Sequence, residues 1–336
     1  MQRCKTPAAM VSFPELSDVE EAAMKVGIIG VGAVGAATAM AVALRARARE
    51  MVLIDRDQAR AKAVATDMHY GEPLSALLEI RDGDYGDLAD AGVVVITAGI
   101  NEKAGGATDR KDPAGRLRLL DANVKVYEDI VPKVVKAAPT APILVVTDPP
   151  EPLIDVARHL AGHDRVLGTS TYLDSLRFRV HLAGRFHVSP SCVEANVVGE
   201  HGTSSVFLWS SARIGGALVT EALAKRGIGF DKFRQEVEQE VRYANITIIE
   251  GIGASQYGVG MVAARVAEVI LRDERAVFPV GFHNPRYDVA LSLPSVVGRE
   301  GVSEVIWPEM SAAEAAALER SAATLKKAVG KYVGKS

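Results

Sequence analysis

The segment Lys25–Asp55 constrains the fold of this chain most. An apolar run, Val26–Ile29, ends in the glycine sequence GVGAVG, and an Ala-rich amphipathic stretch follows. A second apolar run, Met51–Ile54, ends on Asp55. This order predicts a strand, a glycine turn, a helix and a second strand, which together make a dinucleotide-binding unit.

Each glycine of the turn has a physical role in such a unit. Gly30 permits the tight turn, Gly32 lets a pyrophosphate approach the backbone, and Gly35 lets the helix pack closely on the strand. Asp55 follows Gly35 by 20 residues, where a carboxylate can accept hydrogen bonds from a ribose and repel a 2′-phosphate. We therefore expect NAD rather than NADP. The candidate cofactor-binding residues are Gly30, Gly32, Ala33, Val34, Gly35, Asp55, Thr97, Ala98 and Gly99.

Further apolar runs extend this pattern into an α/β fold. Val93–Thr97 and Ile143–Thr147 are typical of buried parallel strands, and a long helical stretch separates them. We predict a Rossmann-type doubly wound parallel sheet followed by an α+β substrate domain. The predicted division is an N-terminal extension over 1–24, an NAD-binding domain over 25–167 and a catalytic domain over 168–333.

Composition narrows the range of functions. The 336 residues carry a net charge of −3, and no basic cluster is interleaved with aromatic residues, so we expect no nucleic-acid partner. The two cysteines, Cys4 and Cys192, have no spacing that suggests a metal site, and Cys192 is expected in a core or strand. No apolar run reaches the roughly 18–20 residues of a membrane span. The first residues lack an apolar signal region, so a cytoplasmic location is expected.

Three charged residues in the second half have the chemistry of a dehydrogenase site. Asp174 and Arg177 lie three residues apart on a predicted helix, and His201 lies between glycines after a predicted strand. Hydride transfer to a carbonyl needs a group that exchanges a proton near neutral pH, and histidine is such a group. A carboxylate can orient the imidazole, and an arginine can bind a substrate carboxylate. The polar segment between Gly99 and Arg116 is predicted to be a mobile lid.

These motifs resemble those of the lactate/malate dehydrogenase family. The resemblance covers nearly everything from Lys25 onward and includes GVGAVG, VVVITAG, RLRLLDANV, LDSLRFR and GEHGTSSVFLWS. It implies that His201 is the acid/base, Asp174 its carboxylate partner and Arg177 the residue that binds the substrate carboxylate. By the same resemblance, Arg116 closes on the substrate carbonyl and Ser255 lines the pocket. It also implies a homodimer or homotetramer.

Two positions depart from the family pattern. Asp148 stands where the family nearly always has Asn, and a carboxylate cannot donate a hydrogen bond unless it is protonated. Glu102 stands where lactate dehydrogenases resemble one another in having Gln and malate dehydrogenases in having Arg. The lid is longer than the family's, so that Arg110 or Lys111 is an alternative cation that reaches inward. We hypothesise a 2-oxo acid substrate with a polar or cationic side chain.

Other functions stay open at this point. The chain could be an ordinary L-lactate or malate dehydrogenase that tolerates Asp148. It could also be a catalytically silent NAD-binding protein, although four charged catalytic positions are retained. The related NAD-dependent glycosidases hold a metal through Cys and His, and Cys192 lies in no matching motif.

Overall fold

The computed structural model describes residues 24–45, 48–74, 78–112 and 114–333. The predicted N-terminal extension therefore lies outside the described residues, apart from Met24. Strands and helices alternate through the first half: β1 (Lys25–Ile29), α1 (Ala33–Arg45), β2 (Glu50–Ile54), α2 (Gln58–His69), β3 (Glu79–Asp82), β4 (Val93–Ile96), α3 (Leu120–Ala137), β5 (Ile143–Val145), α4 (Pro150–Ala161) and β6 (Val166–Gly168).

These six strands form a parallel sheet in the order β3-β2-β1-β4-β5-β6. That is the strand order of a doubly wound dinucleotide-binding fold. The chain builds the sheet outward from β1 to β3 on one side, then returns to the other side of β1 and continues from β4 to β6, so the order reverses between β1 and β4. The predicted α/β fold class is confirmed. Ligands of such sheets bind beyond the carboxyl ends of the strands at this reversal.

The second half adds short strands and longer helices. Its elements are α5 (Tyr172–Phe186), β7 (Val193–Glu194), β8 (Val197–Val198), β9 (Val206–Phe207), β10 (Arg213–Ile214), β11 (Ala217–Leu218), α6 (Val219–Lys225), α7 (Phe230–Arg242), α8 (Ala244–Ile252), α9 (Tyr257–Leu271), β12 (Ala276–Asn284), β13 (Val289–Gly298), β14 (Gly301–Val305) and α10 (Ala312–Val333).

One sheet joins the two halves. β12 pairs antiparallel with β6, and β13 and β14 extend the sheet to nine strands. The predicted division between residues 167 and 168 falls inside β6. The hydrogen bonding of the sheet therefore continues through the place where the sequence pattern changes.

Helices cover both faces of the sheet because successive strand side chains point to opposite faces. On β4, Val94 and Ile96 belong to the core that includes α3, α4 and α10, whereas Val93 and Val95 belong to the core that includes α1 and α9. All four of these side chains are fully buried. The helix α9 from the second half thus packs directly on α1, the helix that begins at the glycine turn.

The prediction for Cys192 was wrong, and two helix boundaries have local causes. The helical stretch between the two predicted strands begins as a 3-10 turn, Gly115–Leu119, and α7 and α8 meet at Tyr243. Tyr243 has φ −107° and ψ 9°, which interrupts the α-helical backbone there. Cys192 ends a 3-10 turn and is exposed, not part of a core or strand. In the described part of the chain, no helix combines the length and apolar character that crossing a membrane requires.

Candidate active site

The glycine turn has the backbone geometry predicted for it. Gly30 has φ +93°, which favours glycine, and its N–H donates to the Ile54 carbonyl over 2.7 Å. A Cβ on Gly35 would collide with the Gly30 carbonyl oxygen, so only glycine allows α1 to approach β1 this closely. A Cβ on Gly32 would meet no atom within 4 Å, so its backbone borders open space.

Hydrogen bonds hold the neighbouring strand ends in place. Asp55 accepts from the N–H of Val31 over 2.7 Å, which ties the end of β2 to the turn. Thr97 donates to the Gly30 carbonyl over 2.5 Å, and Thr147 donates to the Ala98 carbonyl over 2.9 Å. The carboxyl ends of β1, β4 and β5 are thereby fixed relative to one another.

A cavity of about 100 Å³ opens beyond these strand ends. Val34, Thr97 and Gly99 line it on the sheet side. The other predicted site residues among its lining are Glu102, Arg116, Asp148, Arg177, His201 and Ser255. Asp174 lies directly behind, in contact with His201 and Arg177. The fold therefore brings the predicted catalytic and substrate-binding residues together.

One side of the cavity, here called the anchor wall, consists of Asp174, Arg177, His201 and Ser255. The Nδ1 atom of His201 lies 2.5 Å from Asp174 Oδ2, while Arg177 Nη1 donates to Asp174 Oδ1 over 3.1 Å. Arg177 Nη2 also donates to the Ser255 hydroxyl over 3.4 Å. Asp174 is in the first turn of α5, so the helix itself places Asp174 and Arg177 on one face.

The anchor wall fixes the ionisation of its members. Burial raises the pKa of Asp174, but the charge and hydrogen bond of His201 outweigh burial and hold it well below the usual value. Burial and the charge of Arg116 lower the pKa of His201, but Asp174 raises it more, so the net shift is upward. His201 is thus a buried imidazole that retains a proton to a higher pH than usual, as a proton donor needs.

The opposite side, here called the acidic wall, consists of Glu102, Arg116 and Asp148. Arg116 Nε donates to Asp148 Oδ2 over 2.9 Å, and Asp148 Oδ1 lies 3.9 Å from His201 Nε2. Burial raises the pKa of Glu102, and the negative charge of Asp148 raises it further. Arg116 is the basic side chain that faces both carboxyl groups.

Known proteins match the chain over almost all of its described length. The model of the lactate/malate dehydrogenase NAD-binding domain matches residues 24–167, and that of the alpha/beta C-terminal domain of the same family matches residues 171–335. The chain belongs to the lactate/malate dehydrogenase family. It is an NAD-dependent 2-hydroxyacid dehydrogenase.

Individual relatives agree with this assignment. The L-lactate dehydrogenase of Chloroherpeton thalassium is 42% identical over 309 residues, which cover 91% of this chain and 99% of the relative. That of Thermus aquaticus is 43% identical over 312 residues, 90% and 97% of the two chains. The ligand-bound crystal structure of the minor L-lactate dehydrogenase of Enterococcus mundtii superposes with a TM-score of 0.84 at 31% identity, over 91% of this chain and 98% of that one.

The glycine turn of the dehydrogenase fits its cofactor, NAD. The open space beside Gly32 and the free N–H groups at the start of α1 suit a pyrophosphate. Asp55 places a carboxylate at the end of β2, where a ribose hydroxyl can donate to it. No group of three or more metal-ligating side chains lies together among the described residues.

Sequence reasoning missed Asn123, which positions the acidic wall of the dehydrogenase. This fully buried side chain on α3 donates to the Asp148 carbonyl over 2.6 Å and accepts from the Ile100 N–H over 2.6 Å. It therefore joins the start of the lid to the segment that carries Asp148. The sequence did contain one signal for this role, because the amide side chain of Asn123 lies on the apolar face of the predicted helix.

Two buried carboxyl groups behind His201 were also missed. Burial raises the pKa of Glu151 to about 7, although the charge of His201 opposes this shift. The Ser292 hydroxyl donates to Glu151 Oε1 over 3.2 Å, and Oε2 has no hydrogen-bond partner among the described residues. Glu200 accepts from the backbone N–H of Ser204 over 2.9 Å. The glutamate in the GEHG motif was visible in the sequence, but its burial was not.

The lid contacts α8 on its outer side. Arg110 pairs with Glu250 at 2.6 Å, and both side chains are largely exposed. Arg110 and Lys111 are not among the residues that line the cavity. The alternative in which one of them reaches inward to neutralise Glu102 is therefore wrong, because the pairing with α8 turns Arg110 outward.

Proposed function

We propose that this dehydrogenase interconverts pyruvate and L-lactate. The observation that carries the proposal is the position of the Arg177 guanidinium, which faces the cavity next to a His201–Asp174 pair. One carboxylate of the substrate can bind there while the carbonyl carbon lies near His201. The cavity of about 100 Å³ is small beside the roughly 300–1,000 Å³ of pockets for drug-sized ligands. The printed names of the relatives support a small substrate of this kind.

Each charged residue then has one task in pyruvate reduction. Arg177 binds the carboxylate through two N–H groups, and Arg116 donates to the carbonyl oxygen as negative charge develops on it. NAD, in its reduced form, supplies the hydride for the carbonyl carbon. His201 gives a proton from Nε2 to the carbonyl oxygen, and Asp174 stabilises the imidazolium before that transfer. Lactate oxidation uses the same groups in reverse.

The proposed cofactor contacts follow from the strand ends. The pyrophosphate would be held by the glycine turn, that is by Gly30, Gly32, Ala33, Val34 and Gly35, and Asp55 would accept a hydrogen bond from the adenosine ribose. Thr97, Ala98 and Gly99 would hold the part of the cofactor nearest the cavity.

The acidic wall disfavours a second substrate carboxylate. Glu102 lies on the cavity surface, and Arg116, the basic side chain that faces it, also faces Asp148. Oxaloacetate would bring its second carboxylate toward this wall, and like charges in a buried site repel strongly. A monocarboxylic 2-oxo acid is therefore favoured over a dicarboxylic one.

A second candidate substrate is a 2-oxo acid with a polar or cationic side chain. The specific observation in its favour is the half-buried carboxyl of Glu102 in the same cavity wall as the carboxyl of Asp148. An amine or imidazole on the substrate would complement that pair. Its size counts against it, because the cavity is small.

Steady-state NADH oxidation with a panel of 2-oxo acids tests both candidates. We expect the highest kcat/KM with pyruvate; the highest value with an imidazole- or amine-bearing acid would select the second candidate. Preference for oxaloacetate would overturn both, and NADH binding with no turnover of any acid would indicate a catalytically silent protein.

The Glu102→Arg variant tests the basis of this selectivity. We expect it to move preference toward oxaloacetate, while Glu128→Arg on the exposed side of α3 leaves preference unchanged. No shift in Glu102→Arg would mean that Glu102 does not contact the substrate.

We also propose that the enzyme is a homo-oligomer. Large apolar side chains are exposed on α1 and α9, including Leu44 at 76% and Met261 at 64%. Large exposed apolar side chains on two helices that pack on each other favour a protein–protein contact there. Light scattering should give at least twice the mass of one chain, and a monomer at micromolar concentration would contradict the proposal.

A further inference from the structure

The acidic wall has more negative charge than its arginine can balance. Glu102 and Asp148 are two carboxyl groups, and both face the single guanidinium of Arg116. Among the described residues that line the cavity, the other basic side chains are Arg177 and His201, and both contact Asp174. A fully ionised acidic wall would therefore face an incoming substrate carboxylate with unbalanced negative charge.

The two carboxyl groups line the same cavity, which gives a place for a shared proton. The negative charge of Asp148 raises the pKa of Glu102 beyond the effect of burial, as expected where two carboxyl groups compete for one proton. Arg116 occupies Asp148 Oδ2, and Oδ1 faces His201 Nε2 at 3.9 Å. An oxygen atom of a ligand that sits between these two atoms contacts both.

A carbonyl oxygen only accepts hydrogen bonds, and an ionised carboxylate also only accepts. Contact between the two is therefore repulsive unless Asp148 carries a proton. An asparagine at this position would donate from its amide without a proton from another group. Asp148 needs a neighbouring source, and Glu102 is the other carboxyl group of the acidic wall.

Resting on the function proposed above, we propose that Glu102 and Asp148 hold one proton between them, and that Asp148 donates this proton in a hydrogen bond to the carbonyl oxygen of the bound 2-oxo acid. Before substrate binds, the proton resides on Glu102 and points to Asp148. When the carbonyl oxygen arrives, the proton passes from Glu102 to Asp148, and Glu102 becomes the carboxylate. The net charge of the pair does not change, and Glu102 acts as a positioning residue.

The shared proton also balances the charge of the complex. With it, and with His201 protonated, the cavity side chains and Asp174 together carry one positive charge, which the substrate carboxylate neutralises. Without it, that positive charge is absent and the complex has a net negative charge. The groups that act electrostatically on the pair are Arg116, Arg177, His201 and Tyr127, with Asp174 and Glu200 facing Arg116 from behind.

The pH dependence of pyruvate reduction follows from this arrangement. Both His201 and the carboxyl pair must be protonated, so log kcat/KM should fall with a limiting slope of −2 at high pH. In Asp148→Asn the amide donates without titrating, and the limiting slope should be −1. A change in the pKa of His201 alone would move the curve along the pH axis without changing its slope, which separates the two explanations.

A binding experiment tests the same proton without turnover. Oxamate, an unreactive analogue of pyruvate, is titrated into the enzyme–NADH complex by calorimetry in buffers of different ionisation enthalpy. At a pH where the slope of wild-type log kcat/KM has approached −2, we expect the wild type to take up about one proton more than Asp148→Asn. Glu128→Gln, on the exposed side of α3, serves as the matched carboxyl-to-amide control and should behave as wild type.

A rescue experiment tests the part played by Glu102. In Glu102→Gln the new amide donates to Asp148 but supplies no proton, so kcat/KM should fall at least about tenfold, as for loss of a hydrogen bond to a charged group. Adding Asp148→Asn to that variant should restore most of the loss. Equal proton uptake in wild type and Asp148→Asn, or a slope of −1 in both, would overturn the proposal.

Failure of the proposed substrate gives a different result. If pyruvate is not reduced but another 2-oxo acid of the panel is, the slope comparison is made with that acid, and the pair is judged on it. If no variant reduces any 2-oxo acid, both the proposed function and the role of the pair are wrong.

Discussion

The anchor wall and the acidic wall face each other across one cavity, yet the chain builds them in different ways. In the anchor wall, Asp174 lies between two cationic partners on rigid elements, His201 at 2.5 Å and Arg177 at 3.1 Å. In the acidic wall, Glu102 comes from the lid, Arg116 from the turn that follows it, and Asp148 from the end of β5. Three separate segments must meet before that wall exists.

The difference separates the tasks of the two walls. The anchor wall can hold the proton donor and the carboxylate anchor in fixed geometry, which is what the reaction needs for any substrate of the class. The acidic wall, which takes Glu102 from the lid, responds to the charge of the substrate side chain. Proton transfer and carboxylate binding are thus assigned to the anchor wall, and selectivity and contact with the carbonyl oxygen to the acidic wall; the following changes break or sharpen that assignment.

Replacement of His201 should give the largest effect. His201→Asn removes the proton donor but keeps a polar side chain, and kcat for pyruvate reduction should fall by about 10²–10⁴-fold. Binding of NADH, followed by its fluorescence, should stay within a few-fold of wild type. A kcat within tenfold of wild type would show that another group supplies the proton.

Glu151 lies behind the anchor wall, and its ionisation should make the stability of the protein depend on pH. Its pKa is about 7 in the folded chain, against 4.5 for an ordinary glutamate, so the unfolded chain releases this proton first as the pH rises. Its contribution to stability is therefore fully present below about pH 4.5 and is lost as the pH rises to 7, by about 3 kcal/mol in total.

Glu151→Gln should remove this dependence. The free energy of unfolding of the variant, relative to wild type, should rise between about pH 5 and about pH 8 when both are measured by urea denaturation. The matched surface variant Glu128→Gln should show no such trend. A constant difference between Glu151→Gln and wild type would mean that Glu151 is ionised throughout that range.

The two arginines should divide binding from catalysis. Arg177→Lys loses the paired N–H donors to the substrate carboxylate and should raise KM for pyruvate by about 10- to 150-fold, with a smaller change in kcat. Arg116→Lys should lower kcat more than it raises KM, because Arg116 acts on charge that develops in the transition state. The reverse pattern in steady-state kinetics would exchange the roles of the two arginines.

The outer contact of the lid should matter least. Arg110→Ala removes the exposed pair with Glu250 and should change KM by less than about fivefold, with kcat unchanged, because solvent screens such pairs. Glu250→Ala should give the same result, and the double variant should add nothing further. A large loss of kcat would mean that this pair holds the lid over the cavity.

Local pattern was sufficient to predict the glycine turn and most of the anchor wall. The turn needs glycine at Gly30 and Gly35 for reasons of backbone conformation and packing, and these apply within a few residues of chain. Asp174 and Arg177 share a helix face because of helical periodicity alone. The joining of β12 to β6 was not predicted, because antiparallel pairing between distant segments leaves no local signal.

The family resemblance predicted more of the active site than physical reasoning from the residues alone. It associated His201 with Asp174, 27 positions earlier in the chain, a pairing that spacing could not give. It did not reveal the burial of Glu151 or the hydrogen bonds of Asn123, since these depend on which side chains the folded core excludes from water. The alternative in which Arg110 reaches into the cavity was wrong, because the sequence could not show that Arg110 pairs with α8.

The sequence by itself therefore determined the dinucleotide-binding unit, the family and the set of charged residues available for catalysis. The tertiary structure decided which of those charges neutralise one another. Charge balance in a buried site depends on distances of a few ångströms between segments far apart in the chain. Glu102 illustrates this, since only the fold places its carboxyl group against Asp148 and leaves the two to share one arginine.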